Sequence, residues 1–237
     1  MIIRCIDFET TGIPTPEDKH AIVEIGWCDL DDGEVGTPDA VLCNPGRSIP
    51  HEATAVHHIT NGMVADATGT LDVLGTPAFF AAHYADFEKQ FFNTDIPVLD
   101  TYKIALRLWP DAPSHSLQFL RYHLELPLIQ TSAMPPHRAA PDAYVCAALM
   151  NRIMELHRDK IADMVRWSSG HPLLPRCPLF KHKGKKWEDV PADYLDWVVN
   201  KATDIDPGVR ANARHHLKLR MLGTETAESY LRDEGDR

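Results

Sequence analysis

The sequence predicts an α/β domain built around a mixed, five-stranded sheet. Three segments rich in apolar and β-branched residues, 2–12, 21–30 and 40–43, come before the first long helical pattern. Two shorter segments of the same kind, 78–82 and 96–99, then alternate with helical patterns. An antiparallel start followed by alternating strands and helices is typical of an α/β domain with a mixed sheet.

Turn and helix signals separate these strands. Asp31, Asp32 and Gly33 predict a hairpin turn between the second and third strands. Short helical or loop segments are expected at 50–55 and 62–72. Helical periodicity predicts longer helices at residues 85–92, 101–108, 116–124 and 141–157. A further helix is expected from about Pro207 to Leu222, where Gly223 would stop it before a mixed-charge tail.

Length and composition restrict the class of protein. The 237 residues fit one substantial domain over 1–160, a Pro-containing linker over 161–178 and a small, partly helical module over 179–237. No apolar run approaches the roughly 18 residues of a membrane helix, and no secretory signal is visible, so we expect a cytoplasmic protein. Five scattered cysteines without a Cys-x-x-Cys pair indicate neither a disulfide framework nor a structural zinc site.

Net charge restricts how the chain could bind nucleic acid. A formal charge of −10 argues against coating nucleic acid by charge alone, since that mode needs Lys and Arg to neutralise phosphates. Chemistry on phosphates would require metal ions to offset the acidic residues. A basic stretch between Arg176 and Lys186 is the local exception, and it predicts either a phosphate-binding track or a solvated loop.

The end of the first strand carries two acidic residues on one face. Side chains alternate along a strand, so Asp7 and Glu9 point to the same side, roughly 6.6 Å apart along the backbone. The pair could hold one divalent cation, because burying ionised carboxylates without a partner is costly. The alternative is a strand end that emerges into solvent.

Asp142 lies in the first turn of the helix predicted over 141–157. Helical periodicity puts it at the head of the inward-facing stripe, whose further members are Val145, Leu149, Ile153 and Leu156. A carboxylate at the entry of a buried face needs a cation or a set of backbone amides. Helix capping is therefore the alternative that Asp142 alone leaves open.

His137 and Glu88 complete the set of candidates. His137 lies in the loop that leads into the same helix, and a neutral imidazole beside a metal site is suited to accept a proton near pH 7. Glu88 borders the apolar side of the helix predicted over 85–92, which Phe87 and Phe91 form. Glu88 could therefore face the site or lie at the rim of the core.

Together these residues resemble the DEDD-type 3′→5′ exonucleases of the ribonuclease-H-like fold, in the variant with a histidine base. The ordered motifs cover residues 1–158 and read Asp7-Phe8-Glu9-Thr10-Thr11-Gly12, Ile22-Val23-Glu24-Ile25-Gly26 and His137-Arg138-Ala139-Ala140-Pro141-Asp142. A further likeness, to the exodeoxyribonuclease X group, rests on the segments 55–60, 106–110 and 180–186.

The second motif departs from the family pattern. Where the family has Ala-His-Asn-Ala-x-Phe-Asp, residues 82–88 read Ala-His-Tyr-Ala-Asp-Phe-Glu. Glu88 thus replaces an Asp and keeps its charge with one more methylene, and Tyr84 replaces the Asn. Asp86 is the nearby alternative, but on a helix it faces away from Glu88, so we expect Glu88 in the site.

The resemblance implies a phosphodiesterase site with two metal ions. Two Mg²⁺ ions, with Mn²⁺ as a substitute, would be held by Asp7, Glu9, Glu88 and Asp142. His137 would take a proton from the attacking water, and a 5′-mononucleotide would leave. The candidate substrate-binding residues are Phe8, Thr10, Thr11, Gly12, His57, Ile59 and His83.

DNA 3′ ends, single-stranded ones included, are the substrate that the likeness favours. A 3′→5′ exoribonuclease of the ribonuclease T or oligoribonuclease type is the substrate alternative, since a terminus of RNA fits the same metals. A non-catalytic nucleic-acid-binding module with a degenerate second motif is the functional alternative. The sequence leaves a homodimer open and predicts no membrane partner.

Overall fold

The computed structural model describes residues 1–222, which contain one mixed sheet of six strands. The strands are β1 (Ile2–Thr10), β2 (Ile22–Asp31), β3 (Glu34–Val35), β4 (Asp39–Leu42), β5 (Phe79–Ala82) and β6 (Val98–Asp100). Their order is β3-β2-β1-β5-β6, with β4 also paired to β2. The pairs of β2 are antiparallel, whereas β1, β5 and β6 run parallel. The predicted α/β class with a mixed sheet is confirmed.

The sixth strand is a short segment that the sequence did not reveal. Asp32 and Gly33 have positive φ angles of 45° and 95°, as a two-residue hairpin turn requires. The pairing then continues for two more residues, Glu34 and Val35, before the chain leaves β2 and returns as β4. The sheet therefore contains the five expected strands and, in addition, the two-residue strand β3.

The described residues form eight α-helices and several single turns of 3₁₀-helix. The α-helices are α1 (His51–His57), α2 (Asn61–Val64), α3 (Thr101–Leu108), α4 (Leu117–His123), α5 (Ala139–His157), α6 (Ile161–Ser169), α7 (Ala192–Asn200) and α8 (Pro207–Met221). The predictions over 101–108, 116–124 and 141–157 are confirmed to within two residues at each end. None of the helices in this part of the chain has the length and apolarity to cross a lipid bilayer.

The segment predicted as a helix over 85–92 is a turn followed by the 3₁₀-helix Glu88–Gln90. Its backbone bonds are mostly of the i to i+3 kind, such as N of Phe87 to O of Tyr84 at 2.8 Å. Phe92 then packs edge-on against Phe8 and Phe80 in the core. The prediction of a helix over 85–92 was therefore wrong, because a single tighter turn replaces it and brings the aromatic rings into the core.

Helix α5 is the central helix beside the sheet and packs against β1 and β2. It begins at Ala139, so Pro141 is its third residue rather than its first. Val145, Leu149 and Ile153 are fully buried, as the predicted stripe requires. Leu156 is 53% exposed, and its assignment to that stripe was wrong because burial along α5 stops at Met154.

The chain forms two compact units. The first contains Met1–Tyr102 and Ser114–Ile161, and the second contains Lys103–Pro113 and the described residues from Ala162 onward. The stretch predicted as a Pro-containing linker over 161–178 includes helix α6 in its first half. Helix α6 buries Met164 and Ser168, a stripe too short to give a clear helical pattern in the sequence.

The second unit has a core of its own. Helices α7 and α8 pack together, and α8 follows the predicted span. The predicted stop at Gly223 and the tail over 224–237 lie outside the described residues. The buried core residues are Cys177, Trp187, Val190, Leu195, Val198 and Ala213.

Candidate active site

Three of the four predicted acids meet at the end of β1. Carboxylate oxygens of Asp7, Glu9 and Asp142 all lie within 4.8 Å of one another. Asp7 and Glu9 are partly exposed and project from the same side of β1, while Asp142 is buried at the start of α5. The arrangement follows from strand alternation and from the position at which α5 crosses the sheet.

Gly26 allows α5 to approach the sheet closely enough for this meeting. Gly26 is the β2 partner of Asp7 in the antiparallel ladder. A Cβ atom at Gly26 would lie 2.1 Å from the backbone carbonyl carbon of Ala139, a distance that no side chain could occupy. The first turn of α5 therefore rests directly on the backbone of β2, and Asp142 follows one turn later.

Glu24 fixes the segment that leads into α5. Its carboxylate accepts hydrogen bonds from Nε of Arg138 at 2.9 Å, from Nη2 of the same guanidinium, and from the backbone N of Ala139 at 2.9 Å. Glu24 lies within the motif of residues 22–26, but the motif alone assigns it no role. The signal that could have found it is a charged residue at a buried position of an apolar strand.

Asp142 is held by two donors within the first unit. Oδ1 accepts a hydrogen bond from Nε2 of Gln118 at 2.7 Å, and Oδ2 accepts one from the backbone N of His137 at 2.6 Å. The helix-capping alternative is therefore correct in part, because the backbone amide of His137, just before α5, donates to this carboxylate. These bonds orient Asp142, yet burial still raises its pKa above the usual range.

His137 is exposed and adopts a positive φ of 60°. Its amide is bound by Asp142, and its imidazole lowers the pKa of that carboxyl, which means that the ring and the carboxylate attract each other. Within residues 1–222 the imidazole has no hydrogen-bond partner. The side chain is therefore placed beside the acids and is accessible to solvent.

Glu88 is the fourth acid and is 2% exposed. It lies outside the group of three, although its charge helps to raise the pKa of Asp7. Its Oε2 has no hydrogen-bond partner among the described residues, and burial raises its own pKa well above the usual range. Asp86 is exposed and faces Lys89 at 3.8 Å, so Glu88 is the acid of this segment that belongs near the site.

The electrostatics of the group favour a cation. Burial, followed by the charges of Asp142, Glu9 and Glu88, raises the pKa of Asp7 well above its usual range. Burial and the charge of Asp142 likewise raise the pKa of Glu9 to about 8. Carboxylates that repel one another in this way are stabilised by protons or by a shared metal ion. An all-oxygen donor set of this kind fits a hard divalent cation.

Phe8, His57 and Ile59, three of the candidates for substrate binding, are buried. Phe8 packs in the core with Ile6, and Ile59 is fully buried with Val23 and its neighbours. The Nδ1 atom of His57 accepts a hydrogen bond from the backbone N of Ile59 at 3.0 Å. Their assignment to substrate binding stays a prediction.

Thr10 and Thr11, two further candidates for substrate binding, form hydrogen bonds within the loop after β1. Oγ1 of Thr10 donates to O of Gly12 at 2.8 Å. Oγ1 of Thr11 lies 3.1 Å from Nδ1 of His20 and accepts from the backbone N of Ala21 at 3.0 Å. These hydroxyl groups stabilise the loop after β1, and the assignment of Thr10 and Thr11 to substrate binding stays a prediction.

Gly12 and His83 are constrained in a similar way. Gly12 has a φ of 152°, and a Cβ atom there would lie 2.5 Å from the ring of His20. His83 contacts Oγ1 of Thr101 at 3.0 Å through Nδ1 and O of His115 at 2.9 Å through Nε2. Both ring nitrogens of His83 are therefore engaged within the protein, and its assignment to substrate binding stays a prediction.

Tyr84, which departs from the family motif, is exposed beside β5. It has a positive φ of 68°, a conformation that Asn tolerates better than Tyr. Its ring stacks on Tyr102 with the ring centroids 3.8 Å apart and an angle of 20° between the planes. This stacking helps to hold Tyr84 in the strained conformation, and no motif in the sequence points to Tyr102.

Comparison with known proteins agrees with this geometry. The RNase_T exonuclease family model matches residues 5–150. Exodeoxyribonuclease 10 of Escherichia coli (strain K12) is 31% identical over 229 residues, which are 92% of this chain and 99% of that protein. The DNA polymerase III subunit epsilon of Treponema pallidum (strain Nichols) is 28% identical over 167 residues, 64% of this chain and 75% of that protein.

A solved structure extends the agreement to three dimensions. Exonuclease X, in complex with 5′ overhanging duplex DNA, matches with a TM-score of 0.60 and 32% identity, over 69% of this chain and 99% of that chain. The fold, the ordered acidic motifs and these similarities lead to one assignment. The chain belongs to the DEDD-type 3′→5′ exonuclease family.

Proposed function

We propose that this chain removes 5′-mononucleotides from the 3′ ends of DNA with the help of two divalent cations. The observation that carries the proposal is the group of Asp7, Glu9 and Asp142, whose carboxylate oxygens lie within 4.8 Å of one another. Three acids at this separation repel one another, and nearby basic groups do not offset all of that charge: Arg138 is already bound to Glu24. A cation would relieve this repulsion.

The donor set suits Mg²⁺ or Mn²⁺. Asp7, Glu9 and Asp142 would hold one ion, and Asp7 with Glu88, whose Oε2 has no hydrogen-bond partner among the described residues, would support the second. Carboxylate oxygens are the ligands that both metals prefer. When bound, the ions would supply positive charge to the scissile phosphate and lower the pKa of the attacking water.

His137 is the residue that we assign to proton transfer. It is exposed beside the acids, and the segment that carries it is fixed by Glu24 through Arg138 and by Asp142 through the backbone amide. Its imidazole would accept a proton from the attacking water, and the negative charge of Asp142 would stabilise the imidazolium that forms. The same pair would return the proton to solvent after the nucleotide leaves.

DNA is the substrate that the relatives support. Exodeoxyribonuclease 10 acts on DNA by its name, and Exonuclease X was solved with a duplex whose 5′ overhang leaves a recessed 3′ end. Both match this chain at more than 30% identity. RNA is the competing substrate, and its use is an outcome that the following experiment can detect.

The experiment follows single strands of DNA and RNA that carry a label at the 3′ end or the 5′ end. Each is incubated with Mg²⁺, with Mn²⁺ or with a chelator. Wild type is compared with Asp7→Asn and with the matched control Asp86→Asn, which removes an exposed acid outside the group. We expect early loss of the 3′ label as a mononucleotide, dependent on metal and on Asp7, and unchanged by Asp86→Asn.

Other outcomes would overturn parts of the proposal. Faster turnover of RNA than of DNA would identify RNA as the substrate. Early loss of the 5′ label would indicate cleavage in the 5′→3′ direction. Strand binding without turnover in any metal would assign the chain to the non-catalytic alternative. Turnover that persists in chelator would exclude a metal role for the acids.

A further inference from the structure

A basic loop in the second unit exposes an aromatic ring to solvent. The backbone N of Cys177 donates to O of Lys185, and N of Gly184 donates to O of Cys177, each at 2.9 Å, which closes the loop. Gly184 has a φ of 82°, as the turn requires. At the tip, Phe180 is 98% exposed. A large apolar ring held in solvent by a closed loop indicates a contact surface rather than a core residue.

The loop is anchored beside two further rings. His182 is buried, and its ring packs edge-on against Tyr194 of α7 at 4.5 Å. Tyr194 in turn stacks on Trp197, with the ring centroids 5.5 Å apart and an angle of 27° between the planes. Nζ of Lys181 lies 5.4 Å from the centre of the Tyr194 ring. The anchored loop and α7 therefore present rings and a cation side by side.

A cavity of about 350 Å³ opens between these groups. Its lining residues are Lys181, Asp193, Tyr194 and Trp197. The aromatic members offer flat faces, and Trp197 is 43% exposed. Asp193 could accept hydrogen bonds from exocyclic amines of a base. The cavity thus combines features that suit a planar, nitrogen-rich ring.

The charges of the loop are free to meet an anion. Lys181, Lys183 and Lys185 are exposed and form no ion pair with another residue in the part of the chain that the structure describes. Arg176 and Lys186, at the base of the loop, face Asp111 at 3.5 and 3.9 Å. The chain has a net charge of −10, yet three lysines without an ion pair among the described residues lie around exposed rings in this loop. The loop therefore carries a local positive charge.

We propose that the surface formed by Phe180, Lys181, Lys183, Tyr194 and Trp197 binds a single-stranded segment of nucleic acid. Bases would stack on the rings, and phosphates would pair with the lysines. An unpaired strand fits because only an unpaired base exposes its face to a ring. The choice of nucleic acid as the partner rests on the proposed function. This ring-and-lysine surface adds to that function a binding site other than the group of Asp7, Glu9 and Asp142.

The test is binding of a fluorescent single strand to the full chain, measured by anisotropy in chelator so that no strand is cut. Phe180→Ala is expected to raise Kd by about 5- to 150-fold, the range that loss of one stacked base implies. Phe180→Trp should restore binding, whereas Phe180→Leu should not, because Leu keeps apolar area but offers no ring. Since Phe180 is exposed, these variants are expected to fold.

The lysines are tested through the salt dependence of the same binding. Lys183→Gln should reduce the slope of log K against log salt by about 0.7, the share of one phosphate contact on a single strand. Lys183→Arg should keep the slope. The matched control Lys160→Gln removes an exposed charge from the first unit and should leave the slope unchanged.

Failure of this inference is distinguishable from failure of the proposed function. Hydrolysis of the p-nitrophenyl ester of thymidine 5′-phosphate, a substrate too small to need a second site, should be the same in Phe180→Ala and wild type. Strand binding that depends on Phe180 in a chain without turnover would support this surface alone. An unchanged affinity in Phe180→Ala and Lys183→Gln would overturn the proposal of this surface. A dimer that depends on Phe180 in sedimentation would also overturn it and would assign the surface to contact with a second copy of the chain.

Discussion

Glu24 and Arg138 meet between β2 and the start of α5. Nε of Arg138 lies 2.9 Å from Oε2 of Glu24, and the side chain of Glu24 is only 4% exposed. The same carboxylate accepts a hydrogen bond from the backbone N of Ala139. Through these bonds, Glu24, an acid outside the group of Asp7, Glu9 and Asp142, fixes the segment that carries His137.

Glu24→Gln should therefore impair catalysis in a chain that still folds. The amide keeps the shape but has one acceptor oxygen and a donor NH₂ in place of the second, so Arg138 and the His137 segment lose their fixed position. We expect kcat to fall about 10-fold, or about 1.4 kcal/mol, with a smaller change in KM. Arg138→Gln should have a similar effect, and the double variant should be less than additive. Equal activity in Glu24→Gln and in the exposed control Glu34→Gln would contradict a positioning role.

Gly26→Ala should separate α5 from β2. The added Cβ would lie 2.1 Å from backbone of Ala139, which no side-chain rotation can relieve. Overpacking of this kind costs about 1–3 kcal/mol or more, and the shift of α5 would move Asp142 away from Asp7. Urea unfolding and hydrolysis measure the two effects. The control Gly62→Ala meets no atom closer than 3.9 Å and should change neither; an active, stable Gly26→Ala variant would refute the packing argument.

Glu88→Gln should change stability and activity in opposite directions. The carboxylate is buried and its Oε2 is unpartnered within residues 1–222, so neutralising it removes a desolvation penalty. In chelator, thermal unfolding should occur at an equal or higher temperature than in wild type. With Mg²⁺, hydrolysis should fall at least about 10-fold, equivalent to about 1.4 kcal/mol. A variant with full activity would exclude Glu88 from the metal site, and Asp86→Asn serves as the neighbouring control.

His83 should make the first unit less stable in mild acid. Burial lowers its pKa to about 4, although the carbonyl of His115 acts in the opposite direction. The unfolded chain, in which His has a pKa of about 6.5, then binds a proton more readily than the folded chain. Stability is complete above about pH 6.5 and falls as the pH drops towards about 4. The loss of unfolding temperature between these pH values should be smaller in His83→Gln, and equal losses in both would refute this linkage. His51→Gln, at an exposed position, is the control.

Local pattern was sufficient for the strands, for α5 and for the proximity of Asp7, Glu9 and Asp142. Strand alternation fixes which side chains share a face, and helical periodicity fixes the inward stripe, so each piece of information is local. The same rule placed Phe8 on the face opposite Asp7 but could not say what covers that face. Ring packing with Phe80 and Phe92 covers it.

Features that depend on distant contacts could not be read from the sequence. Glu24 acquires its role from Arg138, 114 positions away. Gly26 matters because of a backbone approach that leaves no periodic signal. The 3₁₀ turn at Glu88 and helix α6 are short, and short elements are selected by packing more than by local preference.

The central claim is that Asp7, Glu9 and Asp142 hold the divalent cations that enable cleavage at a 3′ end. The most direct measurement is release of the 3′-terminal nucleotide as a function of Mg²⁺ concentration in wild type and Asp142→Asn, which keeps the shape of the side chain. We predict saturable Mg²⁺ dependence in wild type and a rate at least about 100-fold lower in the variant, equivalent to about 2.7 kcal/mol. Wild-type rates in Asp142→Asn, or cleavage without metal, would contradict the claim.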